Sequence, residues 1–191
     1  MHKLSHSEIA ATRKTVEQAI ASGRTPIYGL IENVRSLYNV GSIFRTSDAV
    51  LLSHLYITGF SPHPPRPEIA KTALGAVESV PWSYNRNPME AIQELKGKGI
   101  KLVVLEQARE SIPIWELPTN IFPACVAVGN EIGGITKEVL DAADIAVEIP
   151  MLGVKHSLNV AVAYGIATYK LFELNARLNL VRKSEASNSK P

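Results

Sequence analysis

Short apolar runs of β type alternate with helical patterns along this chain, and that alternation restricts the fold more than any other feature. Ile27 to Ile31, Leu55 to Thr58, Ile100 to Leu105, Ala124 to Val128 and Ile145 to Ile149 read as strands, with a further strand near Glu78 to Trp82. Helices are predicted over Val40 to Leu51, capped by Asn39, over Glu68 to Leu74, over Pro88 to Lys96, capped by Asn87, and over Thr136 to Ala143. Such alternation implies an α/β protein with a mainly parallel sheet flanked by helices. Sheets of that kind bind ligands beyond the C-terminal ends of their strands.

The flanks divide the chain into three parts. Ser5-x-x-Glu8 has capping-box spacing and opens a helix expected to reach Ser22, so residues 1–25 read as a helical extension. The main domain spans 26–180. Within it, Pro62, Pro64, Pro65 and Pro67 predict a semi-rigid surface loop, and Ile112 to Pro118 a linker. The closing helix is predicted from Ser157 to Leu178, with Leu158, Ala161, Val162, Gly165, Ile166 and Tyr169 as its buried stripe. Val160, Ala167, Leu171 and Leu174 add apolar surface elsewhere around it, which fits a helix sunk in the core or packed against another subunit. Residues 181–191 are polar and predicted to be disordered.

Composition narrows the function classes. The chain has 191 residues, 46% of them hydrophobic and 20% charged, long enough for one well-packed globular domain and short for two. A net charge of +2 argues neither for nor against a nucleic-acid partner. The single cysteine, Cys125, excludes an intrachain disulfide and a cysteine metal cluster, and its apolar run predicts burial. His63 has no second ligand at metal spacing, so no metal is expected. The start of the chain lacks the apolar core of a signal peptide and no run is long enough to span a membrane, which predicts a cytoplasmic protein.

Three stretches carry the candidate chemistry: Asn33 to Ala49, Val126 to Thr136 and Ile149 to Ala163. Each places glycine and polar residues where a helix begins, and unpaired N–H groups at helix starts hold anionic or polar ligands. Asn39 and Ser157 could be simple caps, and Arg45 could pair with Asp48. Glu131, fixed among glycines beyond a buried strand, is placed to accept several hydrogen bonds. Asn159, one turn into the predicted helix, needs partners if buried. A dinucleotide-dependent oxidoreductase is excluded, because no Gly-x-Gly-x-x-Gly joins the first strand to its helix.

In order and at compatible spacing, Asn39-x-Gly41-x-x-x-Arg45-Thr46, Gly129-Asn130-Glu131-x-x-Gly134-Ile135 and Ile149-Pro150-Met151-x-Gly153-x-x-x-Ser157-Leu158-Asn159-Val160 resemble the three motifs of the SpoU/TrmH methyltransferases of the SPOUT superfamily. Lys71 to Ala76 is similar to a stretch that family carries between its first two motifs. The resemblance implies an S-adenosylmethionine-dependent RNA ribose 2′-O-methyltransferase acting on tRNA or rRNA. It also implies a C-terminal trefoil knot and a homodimer with the active site near its interface. The alternative of the same fold is a knotted RNA-binding module without catalysis.

Carried onto this chain, the resemblance assigns the cofactor to Gly129, Asn130, Ile149, Met151, Gly153 and Leu158. It assigns catalysis or substrate positioning to Asn39, Arg45, Glu131, Ser157 and Asn159. It makes Arg45 the general base, but a guanidinium stays charged in proteins. A second reading has Arg45 grip a phosphate and stabilise the developing alkoxide while the proton leaves through Ser157 or water, with Glu131 orienting Asn39 or Arg45. Ile132 and Ala161 depart from the family pattern, where glycine and serine are common. No separate RNA-binding domain precedes the catalytic one, so RNA contacts are expected from Lys3, Arg13, Lys14, Arg24, Arg35, Arg66 and Lys71.

Overall fold

The computed structural model describes residues 2–188. Among them, seven strands form one sheet in which every pairing is parallel. The strands are β1 (Ile27–Glu32), β2 (His54–Thr58), β3 (Trp82–Asn85), β4 (Lys101–Leu105), β5 (Ile112–Pro113), β6 (Ala124–Val128) and β7 (Ile145–Glu148). Their order is β3-β2-β1-β6-β4-β7-β5, so β6 is inserted between the two halves of the chain that precede it. Every residue of β6 is buried, as a parallel strand covered on both faces requires.

Helices cover both faces. On one side α3 (Leu37–Ala49), α4 (Pro67–Ala73) and α8 (Val160–Asn188) pack through Phe44, Ile69, Tyr164 and Leu171 onto Ile31 and Ile57. On the other, α6 (Pro88–Gly97) and α7 (Lys137–Asp141) pack through Ile92, Leu95 and Val139 onto Leu30 and Val104. Cys125 lies in this second layer, fully buried as expected, and burial pushes its thiol far above the ordinary range.

Several elements differ from the expectation. The N-terminal segment is two helices, α1 (His6–Ala11) and α2 (Val16–Ala21), because a second capping box, Thr15 with Gln18, restarts the helix after the Ser5–Glu8 box has opened the first. The predicted strand at Glu78 to Trp82 is instead α5 (Ala76–Ser79) followed by β3. Leu74 and Gly75, both left-handed, end α4 and start α5, and Pro81 delays the strand. The expected linker contains β5, paired with β7, and a 3-10 turn over Ile114–Glu116.

The last helix holds the largest correction. It begins at Val160, not Ser157, and continues through Asn188, so only residues 189–191 of the predicted tail lie outside the described residues. Its faces are exchanged: Val160, Tyr164, Ala167, Leu171 and Leu174 are buried, whereas Val162, Ile166 and Tyr169 of the expected core stripe are 52%, 40% and 50% exposed. Both stripes are apolar, so periodicity does not choose between them. Tyr164 decides it, because its hydroxyl finds a buried partner in Ser47 Oγ at 2.9 Å and sits over Gly29, where a Cβ would strike it.

Candidate active site at the ends of the central strands

The C-terminal ends of β4, β6 and β7 meet over a cavity of about 320 Å³, lined among others by Leu105, Val128, Ile149, Met151 and Leu158. Beyond β6 the chain turns tightly. Asn130 and Gly134 exchange two backbone hydrogen bonds of 2.9 Å, while Asn130 Oδ1 accepts from the N–H groups of Ile132 and Gly133 at 2.9 Å each. A Cβ at Gly129 would collide with the Gly134 backbone, so only glycine lets the two limbs of this turn touch. Glu106, just past β4, braces the turn by accepting from Ile135 N and Gln107 N at 2.9 Å each.

Glu131 then reaches across to the start of α3. Its carboxylate accepts from Arg35 N at 2.9 Å, Ser36 N at 3.1 Å and Asn39 Nδ2 at 2.9 Å. Partial burial alone would raise its pKa, but these donors together hold the group below its ordinary value of 4.5. Two of them are backbone N–H groups where α3 begins, so the acid also complements the positive end of the helix dipole.

The cap of α3 is Ser36, whose hydroxyl accepts from Asn39 N at 3.3 Å, correcting the assignment of that role to Asn39. Asn39 lies within the first turn, where its side chain is free for other work. Its Oδ1 accepts from Asn159 Nδ2 at 3.1 Å, and Asn159 Oδ1 in turn accepts from Ala161 N at 2.9 Å and Val162 N at 3.4 Å. Asn159 is therefore an exposed residue at the start of α8, not one buried a turn inside it. Glu131, Asn39 and Asn159 form one hydrogen-bonded chain that joins all three glycine-bearing stretches.

The remaining candidates are distributed unevenly. Gly129, Asn130, Ile149, Met151, Ser157 and Leu158 line the cavity with Glu131, whereas Gly153 is exposed and does not. Arg45 also lies elsewhere, in a second hollow of about 490 Å³ with Thr46, Lys71, Thr72, Leu74 and Tyr169. Arg35, Arg66 and Lys71 are exposed, Arg35 beside Glu131, Arg66 at the start of α4 and Lys71 in the hollow with Arg45. Arg13 and Lys14 lie in the short link between α1 and α2, and Lys14 Nζ is bound to Ser22 Oγ at 2.8 Å. Arg24 is not free for RNA: its guanidinium donates to Leu52 O at 3.1 Å and Ser79 O at 2.6 Å, ahead of β2 and β3. Sequence reasoning missed Glu106, Gln107 and Glu148, which also line the cavity. The signal was available at Glu106, an acid directly after a buried strand, the same placement that singled out Glu131.

Among the described residues no group of three or more histidines, cysteines and acids could hold a metal ion, and no helix is long and apolar enough to cross a membrane. Comparison with known proteins bears on the same elements. The SpoU rRNA Methylase family matches residues 26–169. A tRNA (guanosine(18)-2′-O)-methyltransferase of Aquifex aeolicus is 30% identical over 82% of this chain and 74% of its own length. The enzyme of the same description from Escherichia coli K12 is 31% identical over 73% of this chain, which spans only 60% of that longer protein. Among solved structures, the A. aeolicus TrmH/SpoU tRNA modifying enzyme superposes with a TM-score of 0.77 at 27% identity, covering 86% of this chain and 82% of that one. An AdoMet-bound rRNA methyltransferase from Sinorhizobium meliloti gives 0.74 at 26%, covering 83% and 59%. The stretches that meet at the Glu131–Asn39–Asn159 chain all fall within the matched region, and the protein belongs to the SpoU methylase family.

Proposed function

We propose that the protein transfers a methyl group from S-adenosylmethionine to a ribose 2′-hydroxyl of tRNA or rRNA. The observation that carries this reading is the Glu131–Asn39–Asn159 hydrogen-bonded chain, whose Glu131 lines the 320 Å³ cavity. The cavity suits the cofactor. Its volume is that of a small-molecule site, Leu105, Val128 and Leu158 offer apolar walls for an adenine, and Glu106, Glu131 and Glu148 supply negative charge for a cationic ligand. Gly129, which lines the cavity, lets the turn that carries Glu131 close against Gly134. When bound, S-adenosylmethionine supplies a methyl group on a sulfonium sulfur.

The protein's part is alignment and charge. Holding the ribose oxygen in line with that methyl group can lower the barrier by about 7–11 kcal/mol where the geometry is ideal. Glu131 fixes the Asn39 amide, and Asn39 fixes that of Asn159, which presents a rigid polar edge to the ribose. Ser157, exposed at the cavity, accepts a hydrogen bond from the ribose hydroxyl and relays its proton, by giving up its own, to solvent water. Arg45 stabilises the developing alkoxide and the adjacent phosphate with its fork of donors.

Arg45 lies outside the cavity of its own chain, beside the exposed apolar face of α8, so the enzyme works as a homodimer. Closure of that face brings Arg45 of one protomer to the cavity of its partner. The C-terminal segment from β6 through α8 is threaded as the trefoil knot expected from the family resemblance. Arg35, Arg66 and Lys71 bind RNA phosphates, with Arg13 and Lys14 reaching more distant backbone, and the work is done in the cytoplasm.

The test is titration calorimetry with S-adenosylmethionine, followed by methyl transfer to total tRNA and rRNA with mapping of the 2′-O-methyl site. Micromolar cofactor binding and transfer are expected. Arg45→Lys should keep cofactor affinity and lose most turnover, since it keeps the charge but not the fork. Near-normal turnover by that variant would sink the role of Arg45. RNA binding without any cofactor binding would identify the non-catalytic module instead.

A further inference from the structure

A second feature of the same sheet edge lies outside the cofactor cavity. After β2 the chain turns at Gly59, at a positive φ of 68°, and enters the proline loop. Around this corner His63 lies 4.4 Å from Tyr84 and 6.2 Å from Trp82, ring to ring, so β3 and the loop share one aromatic stack. Tyr84 remains 39% exposed and Phe60, at the tip of the corner, 62% exposed. Two arginines flank it: Arg66 caps α4 without any side-chain hydrogen bond, and Arg86 follows Tyr84 by two residues. Both are exposed, and neither guanidinium makes an ion pair or hydrogen bond among the described residues.

The corner is held rigidly. Gly59 N donates to Asn85 O at 3.2 Å, Tyr84 Oη to Gly59 O at 2.7 Å, and Phe60 N to Asn33 Oδ1 at 3.1 Å. Asn33, in the left-handed region at φ 55°, is also the residue whose carbonyl receives Asn130 Nδ2 at 2.8 Å. One residue therefore links the tip of the aromatic corner to the turn that carries Glu131. With β6, β1, β2 and β3 as successive strands, the corner stands about 14 Å along the sheet edge from Gly129. That is a span of a few nucleotides.

Trp82 packs on the core and His63 lies between it and Tyr84, whereas the rings of Tyr84 and, at the corner, Phe60 are left exposed. Rigid exposed rings interleaved with unpaired arginines are what unpaired RNA bases require: a π face on which to stack and cations for the phosphates on either side. We propose that Phe60 and Tyr84, with Arg66 and Arg86, form a stacking platform for an unpaired nucleotide of the RNA, a few residues from the one methylated. The platform makes the enzyme select single-stranded loops over duplex. The proposal rests on the RNA methyltransferase reading but reaches a different set of residues.

The experiment uses the full chain, a fluorescein-labelled single-stranded RNA dodecamer and a duplex of the same sequence, with binding read by anisotropy. The single strand should bind more tightly than the duplex. Phe60→Ala should weaken single-strand binding about 5- to 100-fold, and Phe60→Trp should restore it. Arg66→Ala and Arg86→Ala should each make binding less salt-dependent. S-adenosylmethionine affinity, measured by calorimetry on each variant, should not change, which shows that the fold is intact. Unaltered single-strand affinity in Phe60→Ala, or a preference for duplex, overturns the platform while leaving the methyltransferase reading standing. Loss of single-strand binding in Phe60→Ala, in a protein that transfers no methyl group to any RNA, supports the platform and overturns the methyltransferase reading.

Discussion

Asn39 uses both ends of one amide: its NH2 faces an acid and its oxygen faces another amide. A carboxylate only accepts when ionised, so Glu131 dictates which way Asn39 turns, and Asn39 dictates Asn159. The orientation of the site thus depends on one charge. Because the folded pKa of Glu131 lies below 4.5, its contribution to stability is present above that pH and is lost as pH falls through the folded value. Glu131→Gln should be less stable than the wild type near neutrality by about 1–2 kcal/mol, allowing for partial exposure. It should also lose less stability than the wild type on acidification. Chemical denaturation of both proteins at about pH 6 and 4 measures the difference, and equal acid sensitivity would refute the assignment. Turnover should fall further than stability does, because the amides of Asn39 and Asn159 lose their fixed direction.

At the scale of elements, α3 is positioned from three sides. Ser36 caps it, Glu131 holds its first N–H groups, and Gly41 lets α4 approach so closely that a Cβ would lie 2.5 Å from Ile69 O and strike the Thr72 hydroxyl. Gly41→Ala should therefore cost about 1–3 kcal/mol by overpacking, even though alanine is the better helix former. A thermal melt no lower than that of the wild type would show that α4 gives way freely. The central strands, α6 with its Asn87 cap and the glycine-bearing turns were readable from the chain, because buried parallel strands and caps leave local signals. Other features were not, three of which bear on the site. The Ser36 cap was hidden because Asn39 is an equally good capping residue three positions on. The inward face of α8 was hidden because both of its stripes are apolar, and the contact that chooses between them is made to Ser47, 117 residues away. The separation of Arg45 from the cavity was hidden because sequence order says nothing about which side of a helix faces a cleft.

For the whole molecule, the exchanged faces of α8 matter most. Val162, Ile166, Tyr169 and Phe172 present a continuous apolar strip to solvent in the single chain, next to the hollow that holds Arg45. Ile166→Glu should shift sedimentation equilibrium from dimer to monomer and abolish methyl transfer, with S-adenosylmethionine still bound by the intact cavity. Retained activity in a demonstrated monomer would show that each chain is complete alone. The strand order carries a different consequence. Because β6 lies between β1 and β4, the contact from Asn33 to Asn130 closes a loop of 97 residues, and β1 has no neighbour on that side until the chain has been made past Val128. During synthesis β1 is thus an open edge, one that invites pairing with other unfinished chains, and its completion is slow for reasons of chain entropy alone. The insertion that gathers three loops into one site thus also leaves a strand edge uncovered for most of the time the chain is being made.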